Sequence, residues 1–92
     1  MRGRDRAALR AEAHHLSPSV HVGVNGVTDS VVQSLEDALR TRELVKVKIG
    51  KGGDLSARDA AGELASRTGA EVVQVIGRTL TLYRESPELQ EK

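Results

Sequence analysis

Gly23-Val24-Asn25-Gly26 sits between an apolar alternation and a helix-start signal. Neither glycine carries a Cβ, so bare main chain there can come close to a sugar-phosphate chain. The following helix would add free N–H groups and the positive end of its dipole. The Asn25 amide would add a donor. The same four residues also read as a plain strand-to-helix turn that needs a positive φ. Asp29, in the first helical turn, would compete with an anion for the helix end. Spacing alone leaves both readings open.

A second group is cationic. The stretch 40–58 holds Arg40, Arg42, Lys46, Lys48, Lys51 and Arg58 against Glu43 and Asp54, a local charge of +4 in a chain whose net charge is +1. Such a patch can hold a polyanion; it also suits a solvated sheet edge. Lys46 and Lys48 share one face of "ELVKVKI", whose other face is apolar. Arg42, Lys51 and Arg84 could extend that face. The competing reading is an exposed sheet face kept soluble by its lysines.

Other chemistries fail on residue type or spacing. "KIGKGGDLS" lacks the order of a phosphate-binding Walker loop, and "GVNGVT" supplies two of the three glycines of a dinucleotide fingerprint. His14 and His15 are adjacent on a helix and point about 100° apart, and His21 has no acidic cluster near it in sequence, so no zinc site is expected. Nothing resembles a nucleophile elbow. There is no Cys, which excludes disulfides and thiolate metal sites. Tyr83 is the one aromatic residue. Proteins that hold single strands usually stack bases on aromatic rings, so a nucleic acid bound here should be read by backbone and shape.

The elements that must position these residues are legible. Leu9, Ala13 and Leu16 recur at helical spacing over residues 5–16, with Asp5 as N-cap and Pro18 as the stop. Val20, Val22 and Val24 alternate over 19–24, a first strand. Thr28 caps a helix over 29–41 with Val31, Val32, Leu35, Ala38 and Leu39 on one stripe. "ELVKVKI" is the second strand. "GKGGD", residues 50–54, reads as a flexible loop. Ser56 caps a helix over 57–68, with Asp59 in the capping-box position and Leu55 free to staple onto Ala60. Gly69 stops that helix. "EVVQVI" and "TLTLYR" form a hairpin through Gly77-Arg78, a Gly-first turn.

The order is αβαβαββ. Right-handed crossovers put the two inner helices on one face of a mixed sheet. Lys46, Lys48, Gln74, Thr81 and Tyr83 fall on the other face, partly under the first helix. A chain of 92 residues is expected to form one domain, residues 5–86, with flexible tails at 1–4 and 87–92. The basic start has no continuous apolar segment and no run reaches the roughly 18 residues that span a bilayer. A cytoplasmic monomer with no membrane partner, metal, cofactor or small-molecule substrate is expected.

Taken in order, "AHHLSP", "GVNG", "LVKVKI" and "VIGRTLTLYR" resemble the YhbY-type RNA-binding proteins, the CRM domain family, over about residues 8–85. The resemblance implies a fold similar to the C-terminal domain of translation initiation factor three, an α/β two-layer domain with four strands in the order 1-2-4-3. It implies RNA binding through the Gly-x-x-Gly loop, here Gly23 to Gly26. Bacterial single-domain members associate with precursors of the large ribosomal subunit, and plant organellar relatives act in intron splicing. The sequence departs from the family at Val24, where many members carry a basic or small polar residue; Arg78 or Lys51 would compensate if close.

The expected function is non-enzymatic binding of ribosomal RNA in the large-subunit precursor. The expected contacts are Gly23, Val24, Asn25, Gly26, Arg42, Lys46, Lys48, Lys51, Arg78 and Arg84. The alternative is a module that docks on a ribosomal protein or assembly factor through the exposed sheet.

Overall fold

A computed structural model describes residues 5–51 and 55–86. The expected tails and residues 52–54 of the "GKGGD" loop lie outside the described residues. The elements are α1 (Arg6–Ala13), β1 (Val20–Val22), α2 (Asp29–Arg42), β2 (Leu44–Ile49), α3 (Ala57–Thr68), β3 (Glu71–Ile76) and β4 (Thr79–Tyr83). They form one sheet in the order β1-β2-β4-β3. β1 runs parallel to β2, while β4 is antiparallel to both β2 and β3.

The capping residues read from sequence hold all three helix starts. Asp5 accepts from Ala8 N–H, Thr28 from Val31 N–H and Ser56 from Asp59 N–H. Each satisfies an amide that the first helical turn leaves without an intrahelical partner. Gly77 has a φ of +58°, as a Gly-first hairpin turn requires.

Two cores result, one on each side of the sheet. Val45, Val47 and Ile49 of β2 join Leu80 and Leu82 of β4 beneath α2 and α3, which contribute Leu35, Leu39, Ala60, Ala61 and Leu64. The small residues of α3 let it lie close to the strands. On the opposite face Leu9 and Ala13 of α1 pack on Leu44, Val73 and Tyr83. α1 covers only part of that face, as its short apolar stripe allows.

Two features escape the sequence pattern. β3 carries a bulge: Val72 pairs with Leu82, and the next pair is Gln74 with Thr81. The extra residue, Val73, turns under α1, while Val72 and Val75 pack on the main core. Arg6 closes the irregularity by donating to the Val72 carbonyl at 2.5 Å. The second feature is Glu43, whose φ of +67° reverses the chain from α2 into β2 without a glycine. Its carbonyl accepts from Arg84 N–H and its carboxylate from Ser86 N–H, so the tight reversal is held from both sides.

Candidate functional site

Three loops meet at one end of the sheet. Gly26 N–H donates to the Gly23 carbonyl, closing the first loop, and Gly26 takes a φ of +77°. That value is strained for any residue with a Cβ, so the turn reading of Gly26 is correct as far as it goes. Gly23 differs. Its φ is not positive, and a Cβ there would meet nothing within 4 Å. Neither backbone conformation nor packing among the described residues demands a glycine at 23, and its surface is open.

The second loop comes against the first through Gly50, whose N–H donates to the Val22 carbonyl at 2.8 Å. A Cβ on Gly50 would lie 3.1 Å from that carbonyl oxygen, so the close approach itself calls for glycine. The third loop is the β3–β4 turn. Arg78 accepts from Ile49 N–H through its carbonyl, and its guanidinium donates to the Gly50 carbonyl at 3.3 Å. Arg78 therefore lies beside Gly50, which in turn bonds to Val22 at the start of the glycine loop. Lys51 follows Gly50 and is exposed. Lys48 is exposed on the face opposite α2 and α3, in register with His21 and Thr79.

Backbone donors complete this end. Among the described residues nothing accepts from the amides of Val24 and Asn25 at the loop tip, nor from those of Asp29 and Ser30 at the start of α2. The Asp29 carboxylate, an expected competitor for an anion, pairs with Arg67 at 2.8 Å. Arg67 also reaches the Val27 carbonyl at 3.5 Å. It thus brings a positive charge to the helix start. The sequence carried no sign of this, because the contact joins residues 38 positions apart.

The remaining sequence candidates are placed elsewhere. Arg84 lies at the other end of the sheet. It pairs with Glu36 at 3.0 Å and donates to the Thr68 carbonyl at 2.7 Å, which ends α3. Arg42 is at that end too, donating to Ser19 Oγ at 3.1 Å. Lys46 is half-buried, and its Nζ donates to the Leu16 carbonyl at 3.2 Å, fixing the chain as it leaves α1. The cations that sequence gathers into one patch are thus three groups. Gly23, Val24, Asn25, Gly26, Lys48, Lys51 and Arg78 share one end; Lys46 props α1; Arg42 and Arg84 tie the far end together. His14 is exposed at the C-cap of α1.

No group of His, Asp and Glu among the described residues could hold a metal ion. No described helix is long and apolar enough to cross a membrane.

The CRS1/YhbY (CRM) domain model matches residues 1–84. The chain belongs to this family. It is 38% identical over 86 residues to the Probable RNA-binding protein YqeI of Bacillus subtilis, covering 94% of this chain and 90% of that one. An RNA-binding protein of Haemophilus influenzae is 40% identical over 80 residues, covering 87% and 81% of the two chains. The solution structure of a hypothetical protein from Staphylococcus aureus superposes with a TM-score of 0.76 at 33% identity, over 88% of this chain and 84% of that one. The strand order expected from the resemblance is the one observed.

Proposed function

We propose that this CRM-domain protein binds RNA, without catalysing a reaction on it, at the end of the sheet where the three loops meet. The observation that carries the reading is the convergence of open main-chain donors at Val24, Asn25, Asp29 and Ser30 with Lys48, Lys51 and Arg78. Amides and cations together suit a run of phosphates. The names of the relatives support RNA as the polyanion. Tyr83 is the sole aromatic residue and is 2% exposed beneath α1. No Phe, Tyr or Trp ring is therefore presented for stacking, and recognition rests chiefly on folded shape and 2′-hydroxyls. The RNA we assign is ribosomal RNA of the large-subunit precursor, and the compartment is the cytoplasm, on the family resemblance.

The test is sedimentation of a cell lysate with and without ribonuclease, at low and moderate salt. Travel with large-subunit precursors that is lost on digestion and on adding salt is the expected result. Persistence on ribonuclease-treated protein subcomplexes would instead assign the exposed sheet to docking on a ribosomal protein or assembly factor.

A further inference from the structure

The open face of the sheet has a concave region where α1 stops covering it. His14, Lys46, Gln74, Ile76, Thr79 and Thr81 line a pocket of about 190 Å³. One wall is the exit from α1, where His14, His15 and Leu16 donate back to Ala11, Glu12 and Ala13 and the Lys46 ammonium holds the Leu16 carbonyl. The other wall is the β3–β4 hairpin, with Gln74 opposite Thr81 and Ile76 opposite Thr79. The bulge at Val73 creates this wall, because it puts Gln74 and Ile76 on the same face as Thr79 and Thr81.

The lining has a definite chemistry. Ile76 is 59% exposed, one of two large apolar side chains left open among the described residues. Around it are the Gln74 amide, the Thr79 hydroxyl and the His14 imidazole, none of them engaged in a side-chain hydrogen bond among the described residues, with Thr81, 1% exposed, as the floor. Together they offer both donors and acceptors. The one charged group, Lys46, already spends a donor on Leu16, and no carboxylate lines the pocket. A phosphate would find too little positive charge here, and an alkyl chain would strand the polar groups. A neutral planar ring with donors and acceptors on its edge matches both the apolar wall and the polar rim.

The pocket is continuous with the three-loop end. Arg78 lies between Ile76 and Thr79 on the same hairpin, and Thr79 is the register partner of Lys48. We propose, on the basis of the RNA-binding reading, that this pocket receives one unstacked nucleobase of the RNA whose phosphates cross the loops. Ile76 provides the flat apolar contact that an aromatic ring supplies in other proteins. Gln74 and Thr79 read the edge of the base, above the buried Thr81.

The test uses the full chain labelled with nitrogen-15 and with carbon-13 at isoleucine methyls. Each of the four nucleoside 5′-monophosphates is titrated in, with ribose 5-phosphate as the same anion lacking a base. At least one nucleotide should saturably shift the Gln74 side-chain amide, the Ile76 methyl and the Thr79 and Thr81 amides. Ribose 5-phosphate should move only the loop amides near Val24, Asn25 and Arg78. Identical patterns from the nucleotides and the sugar phosphate would overturn the pocket. A second arm measures affinity for a large-subunit ribosomal RNA transcript. Gln74→Ala and Ile76→Ser, each checked for a native amide spectrum, should weaken binding about five-fold or more. If Arg78→Ala weakens that binding while both pocket variants match the wild type, the nucleobase pocket is wrong and the RNA reading stands. If the transcript does not bind at all, the RNA reading fails and the pocket falls with it.

Discussion

At the scale of single residues, the two glycines of the Gly-x-x-Gly loop have different duties. Gly26 is required by its positive φ of +77°, so a substitution there strains the backbone whatever it does to a ligand. Gly23 faces open space. Gly23→Leu should therefore leave the thermal unfolding midpoint nearly unchanged while weakening RNA binding several-fold, as read by filter binding beside a melting curve. Equal affinity in a folded Gly23→Leu protein would leave the loop as a turn. The cations separate in the same way. Lys48→Ala and Arg78→Ala should each flatten the slope of log affinity against log salt by about 0.7–0.9, the contribution of one neutralised phosphate. Lys46→Ala is a poorer probe of charge, because it also releases the Leu16 carbonyl. Neither duty of Lys46 was separable in the sequence, where it alternates with Lys48 as an equal.

At the scale of elements, the far end of the sheet is fastened by side chains that the sequence offers as ligands for a polyanion. Arg84 joins α2 through Glu36 and ends α3 through the Thr68 carbonyl. Arg84→Ala should lower unfolding stability by about 1–3 kcal/mol in a urea titration, since it leaves a half-buried carboxylate and a carbonyl without that donor. RNA affinity of the folded variant should not change. α1 is held chiefly by Leu9, which is fully buried against the opposite side of the sheet. Leu9→Ala should cost about 2–5 kcal/mol and loosen the wall that carries His14 and Leu16. Amide exchange in residues 6–16 should then accelerate more than exchange in β2 and β4, which remain sandwiched under α2 and α3.

For the whole molecule, the charge pattern predicts the magnitude of the salt effect. Three cations at the loop end give a total slope of about −2 to −3 if each offsets one phosphate. A slope near −4 would mean that Arg42 and Arg84 also engage RNA, against their placement at the other end. The element order, the caps at Asp5, Thr28 and Ser56, and the hairpin at Gly77-Arg78 were legible in the sequence. Each is set by local physics: hydrophobic period, a side-chain oxygen three residues before an orphan amide, or a turn that needs a particular φ. Lys48 was legible as a candidate from the alternation of its strand, and Arg78 only through the family resemblance. The bulge at Val73, the reversal at Glu43, the Arg67–Asp29 pair and the division of one basic run into three groups were not. Those depend on which distant groups the fold brings within about 3 Å, and a one-dimensional pattern carries no record of that. The sequence by itself determined what the elements are and which faces they bury. Only the tertiary structure decided which cations are left for a ligand and which are consumed in holding the sheet, because a hydrogen bond to a distant carbonyl or carboxylate exists only once the chain has folded.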